Sequence, residues 1–336
     1  ALRNWWAKLP ANKREVFLEF IRRHRLKLLA GVGLVLASFA YYYFSHIQET
    51  PITKRRRFIA FTPEQFEVLN KLEFDQQIET YKSKLLPTEH ADTQRVGRVV
   101  RQLLAGNEDI EQIKRHDWSV SVINDESVMN AFVMPSGNIF VFSGLLKMVD
   151  NDDQLGMILA HEISHAILGH GLENISHQHI VDIVFISLLG FLWMFLPSDL
   201  IAAIGTAFSR FILGISFMTP YSKMLETEAD EVGLMLAAKA CFDVREASAF
   251  WHKMAIISGA DPVHQLQSSV EFLATHPSHE KRSEHLDGLL AEALKCRDGC
   301  HCSALPKEDP RERVQRMRDQ IIRLNKDKNI EGVLKI

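Results

Sequence analysis

The order of apolar and polar positions divides this chain into a basic head, one long apolar run, and a series of helices around a short strand-rich stretch. In residues 1–27, Trp5, Trp6, Val16, Phe17, Phe20 and Ile21 are interleaved with Lys8, Lys13, Arg14, Arg22, Arg23, Arg25 and Lys27, an amphipathic basic segment. Leu28 to Phe44 follows without a charge and closes on Tyr41, Tyr42, Tyr43 and Phe44. That run is close to the ~20 residues a bilayer span needs, and its aromatic end suits a membrane interface. A transmembrane anchor is expected over residues 28–45, followed by a basic linker over 46–61. Basic residues on both flanks give only a weak vote on orientation. They are compatible with binding anionic lipid headgroups and equally with simply framing the span.

Thr62-Pro63-Glu64-Gln65 is a helix start, and polar amphipathic helices are expected to about Leu104, broken at Pro87 and Thr88. Trp118 to Ile123 alternates as a strand does, and Asn130 to Gly144 predicts two short strands around a turn at Pro135-Ser136-Gly137-Asn138. A short helix over Leu145 to Val149 leads to a helix whose apolar positions Leu155, Ile158, Leu159, Ile163, Ala166 and Ile167 recur at helical spacing, with Asp152 or Asp153 as its cap. Two further apolar runs, Ile180 to Leu196 and Leu200 to Met218, are split by Pro197-Ser198-Asp199 and predict a helical hairpin over 180–218. A membrane-associated hairpin and a buried core hairpin fit it equally, because Asp182 and Arg210 interrupt the runs. Tyr221 to Ala240 and Arg311 to Leu324 read as amphipathic helices.

The helix after Asp153 carries the chemistry. Its His161-Glu162-Ile163-Ser164-His165 places two imidazoles four residues apart on one face, within reach of a single tetrahedral zinc ion. Glu162, beside the first imidazole, is a candidate proton acceptor for a water at the metal's open side. A structural helix with two incidental histidines is the alternative for the pentapeptide alone. A third ligand is available downstream, where Glu226 and Asp230 are four apart on one helix face. One carboxylate could complete the metal site and the other orient a ligand imidazole. Glu228 is rotated about 160° from Glu226 and cannot share that role. The strand around Asn130, Ala131 and Phe132 offers an edge on which an extended substrate could pair, unless it is an ordinary core hairpin.

Composition narrows the choices. A net charge of -3 over 336 residues excludes a globally basic nucleic-acid binder, and no nucleic-acid partner is expected. Fifteen histidines against four cysteines favour imidazole chemistry over a disulfide framework. Cys296, Cys300 and Cys302 crowd one polar segment without a paired-cysteine zinc spacing, so free thiols or one disulfide with an open pairing are expected there.

Four motifs occur in order: Asn130-Ala131-Phe132, His161-Glu-x-x-His165, Glu226-x-x-Ala229-Asp230, and His276-Pro277 with Arg282. Together they resemble the membrane zinc metalloprotease family that includes the CAAX prenyl protease and HtpX, over residues 90–290. Within it, the single anchor and the wording His-Glu-Ile-Ser-His-Ala-Ile-Leu-Gly-His are similar to the Oma-type endopeptidases of the mitochondrial inner membrane, whose activity overlaps that of the m-AAA protease. Metzincin spacing is absent, because Leu168 and Gly171 stand where that family needs Gly and His.

The resemblance implies an α+β, mostly helical, membrane-anchored gluzincin-type domain over 62–295 with a small β-sheet beside the active-site helix. Residues 296–336 would form a cysteine-containing loop and a C-terminal amphipathic helix. It implies one Zn2+ per chain held by His161, His165 and Glu226, with Glu162 as general acid and base and Asp230 supporting a ligand. His276 and Arg282 would stabilise the oxyanion, and Asn130, Ala131 and Phe132 would lie along the substrate. Its implied partners are membrane-protein substrates, such as the dynamin-like fusion GTPase, and the lipid bilayer, anionic lipid such as cardiolipin included; a homo-oligomer is left open. The implied location is the mitochondrial inner membrane, with a single span and the catalytic domain in the intermembrane space, where substrates are processed under stress. A membrane-anchored scaffold or lipid-binding protein with a vestigial zinc site is the alternative, and the presence of Glu162 counts against it.

Overall fold

A computed structural model describes Trp6, residues 8–195, Ala203, Gly205, residues 219–260 and residues 282–331. The chain forms two compact units, one from residues 1–66 and 170–224, the other from residues 67–169 and 225–336. Segment 62–295 contributes to both.

In the first unit, the basic head and the apolar run join in one continuous helix, α1 (Ala11–Ser45), with no buried residue. At 35 residues it extends about 52 Å, and it is long and apolar enough to cross a membrane. Its last turn packs on a two-stranded antiparallel ribbon, β1 (Ile47–Glu49) and β2 (Arg56–Phe58). Tyr43 stacks on Phe58 with ring centroids 5.2 Å apart.

Helix α2 (Pro63–Tyr81) begins as expected, with Thr62 and Gln65 exchanging side-chain to backbone hydrogen bonds, and it leads into the second unit. There α3 (Ala91–Ala105) is capped by the His90 side chain and buries Thr93, Val96, Val99, Val100 and Leu103, a helical stripe. The short α4 (Glu111–Arg115) precedes the sheet. Strands β3 (Ser119–Ile123), β4 (Ala131–Val133) and β5 (Asn138–Phe142) pair in the order β3-β5-β4, with β3 parallel and β4 antiparallel to β5. The turn expected at Pro135–Asn138 joins β4 to β5, with Gly137 at φ 94. Ile123, Met134, Phe140 and Phe142 form a core cluster against Phe74, Ile78 and Tyr81 of α2.

Helix α5 (Ser143–Met148) leads to α6 (Asp152–Leu168), which carries both histidines and is buried on nearly every side. Its cap is Asn151, not Asp152 or Asp153: the Asn151 side chain accepts from the Gln154 N–H at 2.8 Å. The two acids sit one and two residues too late to cap. They lie in the first turn, where negative charge suits the helix dipole, and bind Arg95 and the Asp243 N–H instead. Gly169, at φ 71, ends α6 in a left-handed turn that a side chain would strain.

Helix α7 (His170–Phe195) contains the first arm of the expected hairpin and belongs to the first unit; 196–202, 204 and 206–218 lie outside the described residues. Helices α8 (Thr219–Lys239), α9 (Glu246–Ala260), α10 (Arg282–Gly299) and α11 (Pro310–Glu331) complete the described chain. Within the second unit α9 packs against α6, α10 and α11. Cys241 and Cys302 form a disulfide, while Cys296 and Cys300 are free thiols. The architecture is the expected mostly helical α+β fold with a small sheet, and β4, at the sheet edge, lies against α6.

The first unit is tied together by Glu173 of α7, which is fully buried. Arg55 grips it with two hydrogen bonds of 2.7 and 2.8 Å, Arg57 approaches to 3.2 Å, and the Tyr221 hydroxyl donates at 2.6 Å. Burial alone would raise this carboxyl, but the Arg55, Tyr221 and Arg57 contacts outweigh it and hold it below the ordinary value of 4.5. A depressed carboxylate contributes stability that is present above its unfolded value and lost as pH falls through the folded one. Glu173→Gln should therefore destabilise the protein at neutral pH by about 3 kcal/mol, since it strands buried arginine charge. It should also remove part of the stability loss seen on acidification below about pH 4.5, both read from denaturant unfolding across pH.

Candidate metal centre

Three donors converge in the second unit. His161 Nε2 and His165 Nε2 are 3.1 Å apart, the Glu226 carboxylate lies 3.4 Å from the first and 3.3 Å from the second. The three side chains stand at the corners of a triangle, Glu226 presenting Oε2 to His161 and Oε1 to His165. With zinc to nitrogen or oxygen distances near 2.0–2.1 Å, a tetrahedral site has edges of about 3.3 Å, so the donor set fits a single tetrahedral ion with one position left over. The donors are two neutral-capable imidazoles and one carboxylate, a combination suited to zinc. Among the described residues, no other group of this kind could hold a metal ion.

Local sequence explains the convergence. The i, i+4 spacing stacks His161 above His165 on one face of α6, with ring centroids 4.7 Å apart. Glu226 arrives from α8, and the approach of α8 to α6 depends on Gly233: a Cβ there would lie 2.9 Å from the His161 Cα and backbone N. Glu226, Asp230 and Gly233 stand at i, i+4 and i+7, so the residue that lets the helices touch lies on the same face as the two acids. That spacing was a readable signal for Gly233, which sequence reasoning did not use.

Asp230 supports the site from behind. Its Oδ1 lies 2.9 Å from His161 Nδ1, which holds that nitrogen as the N–H and leaves Nε2 facing His165 and Glu226. Arg282, the first residue of α10, binds Asp230 through Nε and Nη2, the latter at 2.6 Å, and its Nη1 lies 3.2 Å from Glu226. Burial would raise the Asp230 carboxyl, but the Arg282 charge and the His161 hydrogen bond hold it below the usual carboxylate range. Trp251 of α9 presents its ring face to Arg282, with the guanidinium carbon 3.8 Å from the centroid. Sequence reasoning missed Trp251, and no spacing pattern connects it to the motif.

The other expected residues fall as follows. Glu162 is buried on α6 directly after His161. Glu228 is also buried but is not among the converging donors. Arg282, expected near the oxyanion, is directed at Asp230 and Glu226. His276 lies outside the described residues. Asn130 is buried, and its carbonyl accepts from the Phe142 N–H at 3.0 Å. Ala131 and Phe132 pair with Val141 and Phe140, and among the described residues no strand pairs with the other edge of β4. Burial is uneven across the triangle: the His161 and Glu226 side chains are 7% exposed, that of His165 18%. The site therefore opens on the His165 side, away from Arg282.

Comparison with known proteins identifies the family. Residues 90–290 match the sequence profile of peptidase family M48. The chain belongs to that family. It is 39% identical over 310 residues to the mitochondrial metalloendopeptidase OMA1 of Bos taurus, covering 92% of this chain and 58% of that protein. Against the mitochondrial metalloendopeptidase OMA1 of Schizosaccharomyces pombe it is 33% identical over 272 residues, 80% of this chain and 74% of the relative. The beta-barrel assembly-enhancing protease of Escherichia coli aligns at 29% over 166 residues, 48% of this chain and 32% of its own length. The chain spans 58–64% of the length of the vertebrate relatives it matches. Membership in M48, with the Oma-type likeness the motifs suggested, carries the expectation of a metal ion at the triangle.

Two substitutions separate the supporting contacts from the donors. Asp230→Asn should lower metal affinity about 10- to 100-fold while leaving all three donors in place. Gly233→Ala, which forces α8 away from His161, should also weaken metal binding. Metal retained per protein after dialysis against a graded chelator series checks both, and undiminished retention in Gly233→Ala would show that the close approach is dispensable.

Proposed function

We propose that this chain is a zinc-dependent endopeptidase, with His161, His165 and Glu226 holding one zinc ion and Glu162 acting as general base. The observation that carries the reading is the convergence of His161 Nε2, His165 Nε2 and the two oxygens of Glu226 at 3.1–3.4 Å, with His161 Nδ1 beside Asp230. A bound zinc ion supplies Lewis acidity, which polarises a scissile carbonyl and acidifies water beside it.

The protein's own groups do the rest. Asp230 keeps His161 in the tautomer whose Nε2 is free to donate its lone pair, and Arg282 holds both Asp230 and Glu226 in place. Glu162 takes the proton from the attacking water and returns it to the leaving amine. The free edge of β4 pairs with an extended substrate and presents its backbone toward the His165 side. His276 is proposed as an oxyanion donor on the family motif alone. Arg282, already bound to two carboxylates, acts on the carbonyl oxygen less directly, by fixing the site around it.

The relatives' mitochondrial names, the long apolar helix α1 and the Oma-type likeness support a protein of the mitochondrial inner membrane whose catalytic part faces the intermembrane space. The same likeness supports membrane-protein substrates, the dynamin-like fusion GTPase among them, cut when the membrane potential falls.

Glu162→Gln should keep the metal and lose peptide cleavage; cleavage retained at unchanged metal content would remove Glu162 from the mechanism. Glu226→Gln should lose metal and activity together, whereas Glu228→Gln should keep metal. Metal analysis paired with peptide hydrolysis, with and without chelator, reads all three.

A further inference from the structure

Within the first unit, the direction of α7 relative to the end of α1 can be read from three contacts. The ribbon β1–β2 leaves α1 at His46 and returns, so that the Ile59 N–H donates to the His46 carbonyl at 3.0 Å. Glu49, paired with Arg56, marks the far end of the ribbon, and Ile47, paired with Phe58, the end next to α1. Helix α7 follows the returning strand. Glu173 binds Arg55 at the far end. The Ser176 hydroxyl accepts from the Ala60 N–H at 3.0 Å, level with the end of α1. The His179 ring meets the Phe61 ring with centroids 5.7 Å apart. The helix therefore runs back toward the plane in which α1 ends and passes it near His179.

What lies beyond that level is the apolar stretch Ile180 to Phe195, whose one charge, Asp182, is about 5 Å past His179 along the helix. Sixteen residues of helix cover about 24 Å, most of the ~30 Å hydrocarbon core of a bilayer. Large apolar side chains there are exposed: Val184 is 47% and Ile186 63% exposed. The Ser187 hydroxyl, which hydrocarbon would leave unsatisfied, donates to the Ile183 carbonyl of its own helix. A surface of this size open to water would be costly, while in lipid it costs nothing.

We propose that α7 from about Ile180 onward is inserted, antiparallel to α1, into the same bilayer that α1 spans. The occupant of its exposed apolar face is lipid hydrocarbon. Asp182 sits at the headgroup level, and the Arg55/Arg57–Glu173–Tyr221 knot holds the two membrane elements in register just outside the surface. The proposal rests on the reading of α1 as a membrane span and goes beyond it: the protein is held by two elements, the second following directly on the helix that carries His161 and His165.

The test uses the full chain in phosphatidylcholine vesicles, with Cys296 and Cys300 replaced by Ser, and single cysteines carrying a nitroxide label. Val35→Cys reports on α1, Ile175→Cys on the part of α7 outside the membrane, and Val184→Cys and Ile186→Cys on the part proposed to be inside. Accessibility to oxygen and to a water-soluble nickel chelate is measured at each. Val184→Cys and Ile186→Cys should resemble Val35→Cys, with oxygen favoured over the chelate, and Ile175→Cys should show the reverse. If Val35→Cys reads as lipid while Val184→Cys and Ile186→Cys match Ile175→Cys, insertion of α7 is overturned and the anchor stands. If Val35→Cys also reads as aqueous, the anchor reading has failed, and the proposal with it.

Discussion

The structure of the candidate site depends on one hydrogen bond, from His161 Nδ1 to Asp230. It turns an imidazole with two usable nitrogens into one whose Nε2 faces His165 and Glu226. Asp230 is itself buried, and an isolated buried carboxylate would be expelled or neutralised. Arg282 prevents that by binding Asp230 with two of its nitrogens and approaching Glu226 with the third. Trp251 then covers the guanidinium face. Each charge in this chain of contacts is tolerable only because the next is present, so the group behaves as one unit and removal of any member exposes the others' desolvation cost.

That arrangement also leaves the donor cluster more open on one side than on the other. The contacts behind His161 and Glu226 leave little room for water, and the small cavity beside His161 is lined largely by apolar residues of α6, α8 and α9. His165 is the most exposed of the three donors. An edge strand lies against the same helix.

The first unit uses the same physics for a different end. Glu173 is a buried carboxylate gripped by two arginines and a tyrosine hydroxyl, and it joins the linker after α1 to α7. Here the geometry fixes the direction of an apolar helix. His177, stacked on Tyr221 with ring centroids 3.8 Å apart, adds a second contact between α7 and the start of α8.

Much of this was legible in the linear sequence, because it is written in short periods. An i, i+4 histidine pair shares a helix face whatever surrounds it, and seventeen uncharged residues read as a span whether or not a bilayer is in view. The strand alternation around Ser119 to Phe142 and the turn at Gly137 follow from local backbone preference. Other features were not local. Asn151 rather than an aspartate caps α6 because both acids lie inside its first turn, where their partners, Arg95 and Asp243, come from far along the chain. Arg282 faces carboxylates instead of an open position because the first residue of α10 reaches Asp230 and Glu226 of α8, and Trp251 joins it from α9. Spacing alone named Glu226 and Asp230 as a pair without dividing their roles; the family likeness assigned them, and the contact of Asp230 with His161 Nδ1 is a matter of tertiary packing. The sequence by itself determined the chemistry available on each face; tertiary packing decided which faces meet, because only close approach at Gly233 brings donors 61 and 65 residues apart within 3.4 Å.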